Sequence, residues 1–250
     1  PPRSTLFPYT TLFRSVWTVD EIGRALGLST STAYRSVREL VKVGMLEPVS
    51  GAGYALGPAF IRYDRLLRQS DPLILIADPV MRELLDAIAG RGTLVLCRRF
   101  RDCVMCVHEV RGPRPFGETT YERGVAMPMF VGASSKAILA SLPDRLLKSA
   151  YLENEAAIRA SGPKSWAEFK AHLREIKRLG YALTDSEVAP GRIGLAAPIF
   201  RGDQVVAGIS LVVTASVMGR VQVEAFVPRL LAAAETIGTR LSENDVTVSR

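Results

Sequence analysis

Residues 18–57 read TVDEIGRALGLSTSTAYRSVRELVKVGMLEPVSGAGYALG, and this stretch carries the clearest structural pattern in the chain. Thr18 and Glu21 form a capping box, because the Thr18 hydroxyl can accept the Glu21 amide while the glutamate side chain reaches back to the Thr18 amide. The helix that follows has apolar residues on one face and is predicted to end at Gly27, since glycine readily adopts the left-handed conformation of a helix C-terminus. A short amphipathic helix is therefore predicted here.

A second helix is predicted to follow, capped by Ser29, running to Val43 and ended by Gly44. Its apolar residues between Ala33 and Val41 fall on one face, and the opposite face carries hydroxyl groups near the N-terminus and cations behind them. A recognition helix has this layout, because its first side chains meet base edges in the major groove while cations contact phosphates. A solvated surface face is the alternative interpretation.

Two short strand candidates follow, at residues 45–49 and 54–56, and the glycine-rich residues 50–53 between them are typical of a hairpin turn. Helix, turn, helix and hairpin in this order predict a winged helix-turn-helix, with the wing along the phosphate backbone or the minor groove. The residues predicted to contact DNA are Ser29, Thr30, Ser31, Thr32, Tyr34, Arg35, Arg38 and Lys42 of the second helix and Ser50 of the wing.

Three ordered stretches of the chain resemble the IclR family of bacterial transcription regulators. Residues 22–57 resemble the family's DNA-reading pattern, and residues 124–143 (GVAMPMFVGASSKAILASLP) and 180–200 (GYALTDSEVAPGRIGLAAPIF) resemble segments of its sensor domain. The resemblance implies an α+β fold with an N-terminal winged helix-turn-helix, a linker helix and a C-terminal GAF-like effector-binding domain, whose antiparallel sheet is flanked by helices.

The same resemblance implies a transcriptional regulator that binds a double-stranded DNA operator as a homodimer or tetramer and responds to a small metabolite. An organic acid is the typical effector. A GntR- or MarR-like regulator is one alternative, although MarR-like chains are much shorter and the matches at 124–143 and 180–200 disfavour them. A metabolite-binding domain with a vestigial DNA reader is the other alternative.

Four segments are predicted along the chain. They are residues 1–15, an artefact or disordered tail; residues 16–57, the winged helix-turn-helix; residues 58–78, the linker helix; and residues 79–250, the sensor domain. The first segment has no helical or strand period and resembles a translated cloning or sequencing adapter. The family resemblance implies a reader helix before Trp17, where this segment stands, so the chain as given is expected to read DNA less well.

The bulk properties favour a cytoplasmic protein with a polyanionic partner. The net charge is +7 and the isoelectric point about 9.6, which favours nucleic acid. The support is weak, because residues 16–63 contain five basic and four acidic residues. No apolar run approaches the ~18 residues of a membrane span, and the start of the chain has no signal-peptide pattern. Three cysteines do not make a disulfide framework.

The second half of the chain is predicted to hold long hairpins and helices, which favours an antiparallel sheet with helices packed on it. The predicted strands are residues 93–100, 103–110, 193–200 and 205–214, and the predicted helices include 134–142, 144–152, 166–179 and 224–241. Asp71-Pro72 is expected to end the linker helix, and a new helix is expected to begin after Asp78-Pro79.

No catalytic, metal or cofactor site is expected. Cys103, Cys106 and His108 have spacing that suggests a metal site, but strict strand alternation would put Cys106 and His108 on one face and Cys103 on the other. A structural zinc site needs about four such ligands. The Gly-Ala-Ser134-Ser135-Lys136 segment suggests a serine–lysine pair, but it fits a helix start better, and the exposed amides of such a start can bind an anion.

An effector pocket is implied by the family resemblance rather than by spacing. Its predicted residues are Gly132, Ala133, Ser134, Ser135, Asp185, Glu187, Gly194 and Ser210. Asp185 and Glu187 are expected to accept hydrogen bonds from an effector hydroxyl or to hold water, and a solvated loop carboxylate is the alternative for Asp185. The chain departs from the family at Ser135 and Gly194, where a glycine and a cysteine are common.

Overall fold

A computed structural model describes residues 16–51, 53–113 and 122–248 of the 250-residue chain. The chain divides into two compact units, one ending at Ser70 and the other beginning at Asp71. The prediction for residues 1–15, that they are an artefact or a disordered tail, lies outside the described residues. None of the described helices is long and apolar enough to cross a membrane.

The described residues form helices and strands, which are numbered here in chain order. The helices are α1 (Val19–Leu26), α2 (Thr30–Lys42), α3 (Ala59–Ser70), α4 (Pro72–Asp86), α5 (Ala133–Ala140), α6 (Asp144–Ala160), α7 (Trp166–Leu179), α8 (Arg220–Glu224) and α9 (Val227–Val248). The strands are β1 (Trp17–Thr18), β2 (Leu46–Val49), β3 (Gly53–Leu56), β4 (Thr93–Phe100), β5 (Cys103–Arg111), β6 (Ala126–Pro128), β7 (Ala182–Asp185), β8 (Arg192–Arg201) and β9 (Gln204–Thr214).

The first unit is a winged helix-turn-helix, as predicted. The capping box is present, since the Thr18 hydroxyl accepts the Glu21 amide at 3.3 Å and the Glu21 carboxylate accepts the Thr18 amide at 2.9 Å. Gly27 ends α1 in the left-handed conformation, with φ of 65°. The wing is the antiparallel pair of β2 and β3, and β1, which the sequence patterns did not predict, adds a third strand on β3.

The second unit is a six-stranded sheet, in the order β6-β5-β4-β9-β8-β7, in which all neighbouring strands are antiparallel. Helices α4 and α9 pack on one face, around fully buried residues such as Leu96 and Leu211. Helices α5, α6 and α7 pack on the other face, around residues such as Ile138 and Leu173. The predicted α+β architecture, a sheet flanked by helices, is confirmed.

The start of α4 was predicted wrongly. The helix begins at Pro72 rather than after Asp78-Pro79, because Asp71 caps it by accepting the Leu73 amide at 3.0 Å, and Pro79 lies inside the helix. Asp71 is further held by Arg98 of β4, whose guanidinium donates two hydrogen bonds to its carboxylate at 2.9 and 3.1 Å. The residues predicted as a single linker helix, 58–78, therefore contain α3 and the first half of α4.

The predicted facing of Cys106 and His108 was also wrong. A β-bulge shifts the register of β4 and β5, so that Leu96 pairs with His108 and the next residue, Cys97, pairs with Cys106. The bulge inserts one residue and reverses the alternation. Cys106 is consequently buried beneath α5, whereas His108 Nε2 lies 2.7 Å from Asp78 of α4, on the other side of the sheet. The two side chains do not converge.

Candidate functional site

Helix α2, the predicted recognition helix, presents a buried face and an exposed face, as its sequence predicts. Ala33 and Val37 are 0% and 2% exposed and anchor the helix in the first unit. The predicted DNA contacts lie on the other side and are all exposed, including Tyr34, which leaves 58% of its surface in solvent. A large aromatic side chain left this open is available to a partner.

Hydroxyl groups cluster at the N-terminus of α2. Ser29 Oγ accepts the amide of Thr32 at 3.3 Å and lies 2.9 Å from the Thr32 hydroxyl and 3.1 Å from the Ser31 hydroxyl. Ser29 therefore caps the helix and orients two further hydroxyls around its first turn. Thr30, the first residue of the helix, is also exposed. The exposed hydroxyls and the N-terminal amides of such a turn suit contact with phosphate oxygens or base edges.

The three cations on the exposed face of α2 differ in their pairing. Lys42 Nζ lies 2.7 Å from the Glu39 carboxylate, and this hydrogen bond, with the charges of Lys42 and Arg38, holds the pKa of Glu39 below its ordinary value. Arg35 and Arg38 form no ion pair with the described residues. Their guanidinium groups are therefore free for a DNA partner, while Ser50 lies exposed in the turn of the wing.

The first turn of α5 contains buried polar groups that have no partner among the described residues. Gly132 caps the helix with φ of 82°, and no side chain caps its amides. The amides of Ala133, Ser134 and Ser135 meet no acceptor among the described residues, and these residues are only 3%, 0% and 0% exposed. Buried amides nearly always have partners, so this turn is a candidate site for an anion.

Two buried hydroxyls in the same turn also lack hydrogen-bond partners among the described residues. The Oγ atoms of Ser134 and Ser135 are buried and have no hydrogen-bond partner within the described part of the chain. Ser134 lies beside the Cys97 thiol, whose pKa is raised well above its ordinary value by the neighbouring Cys106 thiol and by burial. Three amides and two hydroxyls of one helical turn thus have no oxygen or nitrogen partner among the described residues, and a buried donor left unpaired costs about 1–3 kcal/mol.

Small residues of the sheet lie directly beneath this turn. Gly194 of β8 pairs with Thr184 of β7, and a Cβ atom on Gly194 would lie 3.0 Å from Thr184 Oγ1 and 3.3 Å from the Ala133 Cβ. Ser210 of β9, which is 1% exposed, faces the same side, because its neighbours Ile209 and Leu211 belong to the core on the α4 side. Gly194 and Ser210 therefore lie under α5, on the same side of the sheet as Ser134 and Ser135.

The two predicted carboxylates have different positions. Glu187 Oε2 accepts the amide of Gly132 at 3.2 Å, and its Oε1 lies 2.6 Å from Lys136 Nζ. Asp185 is exposed at the end of β7, and among the described residues its carboxylate accepts one hydrogen bond, from the Ser186 hydroxyl at 2.9 Å. The structure thus brings Glu187 to the first turn of α5 and leaves Asp185 outside the cluster, in the position of a solvated loop carboxylate.

The charges of Lys136 and Glu187 also affect the pKa of His172 in α7. Burial, and then the positive charge of Lys136, hold the pKa of His172 below its ordinary value, and the negative charge of Glu187 partly opposes them. The imidazole is therefore neutral at neutral pH.

Thr184 is the residue of this cluster that the sequence patterns missed. It is buried, whereas its neighbour Asp185 is exposed, because β7 alternates between an inward and an outward side. The signal was present in the sequence: a strand placed over residues 182–185 would have turned Thr184 inward together with Ala182.

The chain matches two family models. The model described as the C-terminal part of the bacterial transcriptional regulator IclR matches residues 67–239, and the IclR helix-turn-helix domain model matches residues 14–50. These matches cover both units. They also separate the chain from the GntR- and MarR-like alternatives.

Individual relatives agree with this result. The HTH-type transcriptional regulator KipR of Bacillus subtilis (strain 168) is 26% identical over 200 residues, which cover 78% of this chain and 77% of that protein. The crystal structure of an IclR transcriptional regulator from Alicyclobacillus acidocaldarius has a TM-score of 0.74 at 24% identity, covering 90% of this chain and 91% of that one. An IclR homologue from Microbacterium hydrocarbonoxydans, crystallised as a complex with 4-hydroxybenzoate, has a TM-score of 0.69 at 23% identity, covering 92% and 93%.

Proposed function

Because the chain belongs to the IclR family of bacterial transcriptional regulators, we propose that it binds double-stranded operator DNA through α2 and the wing and is modulated by a small carboxylate bound at the first turn of α5. The observation that carries the effector site is the buried, unpaired set of amides and hydroxyls on Ala133, Ser134 and Ser135.

The exposed face of α2 supports DNA binding. Its hydroxyls, aromatic ring and unpaired guanidinium groups follow one another along the helix, in the order that a recognition helix uses in the major groove. Arg35 is the strongest candidate for direct base contact, because arginine pairs in a bidentate manner with guanine and this one lies on the second turn of the helix, without an ion-pair partner among the described residues. Arg38 and Lys42 lie further along and suit phosphate contacts.

A carboxylate suits the α5 turn because it accepts several hydrogen bonds and carries the charge that a helix N-terminus favours. The buried position of the turn would exclude water and strengthen these contacts. The homologue complexed with 4-hydroxybenzoate supports this effector class, since that ligand is a small organic acid. Ala133 of this turn belongs to an apolar core that includes Met129 and Phe130, which favours an acid with an apolar body.

A homo-oligomer is part of the proposal, and helix α3 supports it. Helix α3 leaves large apolar side chains in solvent within the first unit, among them Ile61 at 77% exposed and Leu67 at 55%. An apolar face of this kind marks an association surface. A homodimer would present two recognition helices to a pseudo-palindromic operator, with half-sites about one helical turn apart.

A regulatory rather than an enzymatic role is proposed for the second unit. The candidate nucleophiles Ser134 and Ser135 have no hydrogen-bonded base among the described residues, although an activated serine needs one. The relatives that match the chain are named as transcriptional regulators. Since its proposed partner is the operator, we place the protein in the cytoplasm.

Operator binding is tested by titrating the protein into a labelled fragment of its own upstream region, in parallel with a fragment of random sequence. Specific complexes are expected to be about 10³-fold or more tighter than non-specific ones at physiological salt. Equal affinity for the two fragments would contradict the proposal. The salt concentration must be held constant, because phosphate contacts make both affinities fall steeply with added salt.

A further inference from the structure

A carboxylate of the chain itself already occupies part of the proposed anion site. Glu187 accepts the amide of Gly132, the cap of α5, at 3.2 Å, and its second oxygen lies 2.6 Å from the ammonium group of Lys136, one turn into the helix. A free carboxylate ligand would use the same two kinds of contact, a helix-terminal amide and a cation.

The contact is enclosed and comes from a distant part of the sequence. The side chains of Lys136 and Glu187 are 15% and 33% exposed. Glu187 is carried by a tight turn, in which the Ser186 amide donates to the Arg192 carbonyl at 2.8 Å and the Gly191 amide donates to the Ser186 hydroxyl at 3.1 Å. This turn holds the carboxylate against α5 rather than leaving it free in solvent.

Glu187 does not fill the site. It accepts the Gly132 amide, whereas the amides and hydroxyls of the next residues, Ser134 and Ser135 among them, remain without acceptors. An effector carboxylate that took these donors would lie beside the Glu187 carboxylate. Two carboxylates at close range repel each other, and one of them must then leave or take up a proton.

We propose that Glu187 is an internal competitor of the effector: its carboxylate occupies the edge of the α5 anion site in the free protein and is displaced from Gly132 and Lys136 when the effector binds. This inference rests on the proposed effector site. Displacement releases the turn at residues 186–191 from α5, and Lys136 then pairs with the ligand instead of Glu187. Effector binding is thereby coupled to a movement of this loop.

The test uses acetate, the smallest convenient probe that carries only a carboxylate and a methyl group, titrated into the full chain at constant ionic strength. Binding is followed by the amide resonances of Ala133, Ser134 and Ser135. Glu187→Gln is expected to bind acetate about tenfold more tightly than the unsubstituted protein. Removing a competitor that occupies the site about nine-tenths of the time raises the apparent affinity by this factor. Asp185→Asn is the matched control, since it removes the same charge two residues away without touching α5.

The possible outcomes distinguish competition by Glu187 from the existence of an anion site at α5. Tighter binding in Glu187→Gln alone supports displacement. An equal change in Glu187→Gln and Asp185→Asn would show a general charge effect and overturn the proposal, as would weaker binding in Glu187→Gln. Should Glu187→Gln fail to fold, Glu187→Asp keeps the charge but shortens the reach, and it is also expected to bind acetate more tightly; unchanged binding there would overturn the proposal. Acetate binding to none of these proteins would contradict the anion site itself, and the competitor with it.

Discussion

Replacing Arg35 with alanine is expected to weaken binding to the operator by about tenfold to a hundredfold, the effect of losing one bidentate contact to a base. The side chain lies on the exposed face of α2 and forms no ion pair with the described residues. Its removal should therefore leave the stability of the first unit unchanged. The measurement is operator affinity by fluorescence anisotropy, with a thermal melt of each variant as a folding check.

Arg68→Ala is the control for this experiment. Arg68 is also an exposed arginine of the first unit, but it lies in α3 and is paired with Asp64 at 2.7 Å. Its loss should change operator affinity by less than about twofold, as expected for an exposed pair of little energetic weight. Unchanged operator affinity in Arg35→Ala would contradict the assignment of α2 as the recognition helix. An equal loss of affinity for operator and random DNA would indicate that Arg35 contacts a phosphate rather than a base.

Replacing Ser135 with alanine is expected to stabilise the free protein while weakening effector binding. The Ser135 hydroxyl is buried and unpaired, so its removal should raise the free energy of unfolding of the second unit by about 1 kcal/mol. For a unit of this size that corresponds to a rise in Tm of about 2–4 °C. The same change removes a donor to the effector carboxylate and should lower its affinity by about tenfold. Ser135 gives a cleaner test than Ser134, which lies against the Cys97 thiol.

Ser141→Ala supplies the matched control at the other end of α5. The Ser141 hydroxyl donates to the Ala137 carbonyl at 2.9 Å, so it is already satisfied. Its loss should leave effector affinity unchanged and give no stabilisation. A Ser135→Ala protein that is less stable than the parent, or that binds the effector equally well, would contradict the view that this hydroxyl is held unpaired for a ligand.

Features that depend on local sequence could be predicted, and those that depend on distant contacts could not. The caps at Thr18 and Ser29 and the stop at Gly27 involve residues within one turn, and the structure confirms them. The bulge beside Cys97 changes the facing of a whole strand through one inserted residue that leaves no local signature. The start of α4 was misplaced because two Asp-Pro pairs compete, and the packing that favours Asp71 comes from Arg98.

The proposed effector site also has a part that could be predicted from local sequence and a part that could not. Its backbone core at Ser134 and Ser135 was marked by the family resemblance and by the pattern of a helix start. The contact of Glu187 with Gly132 joins residues 55 positions apart and needs the folded sheet to become visible. Thr184 was missed because no strand was predicted over residues 182–185, where β7 lies.

The most direct test of the account is the operator affinity of the unsubstituted protein, measured without and with a carboxylate that stabilises it in a thermal-shift screen. Linkage between the α5 site and the DNA reader predicts a change in operator affinity of about 5- to 150-fold, and the reciprocal change in carboxylate affinity when the operator is bound. In Ser135→Ala the same carboxylate concentration should change operator affinity much less. A carboxylate that stabilises the protein but leaves operator affinity unaltered, or that alters it equally in both proteins, would contradict the account.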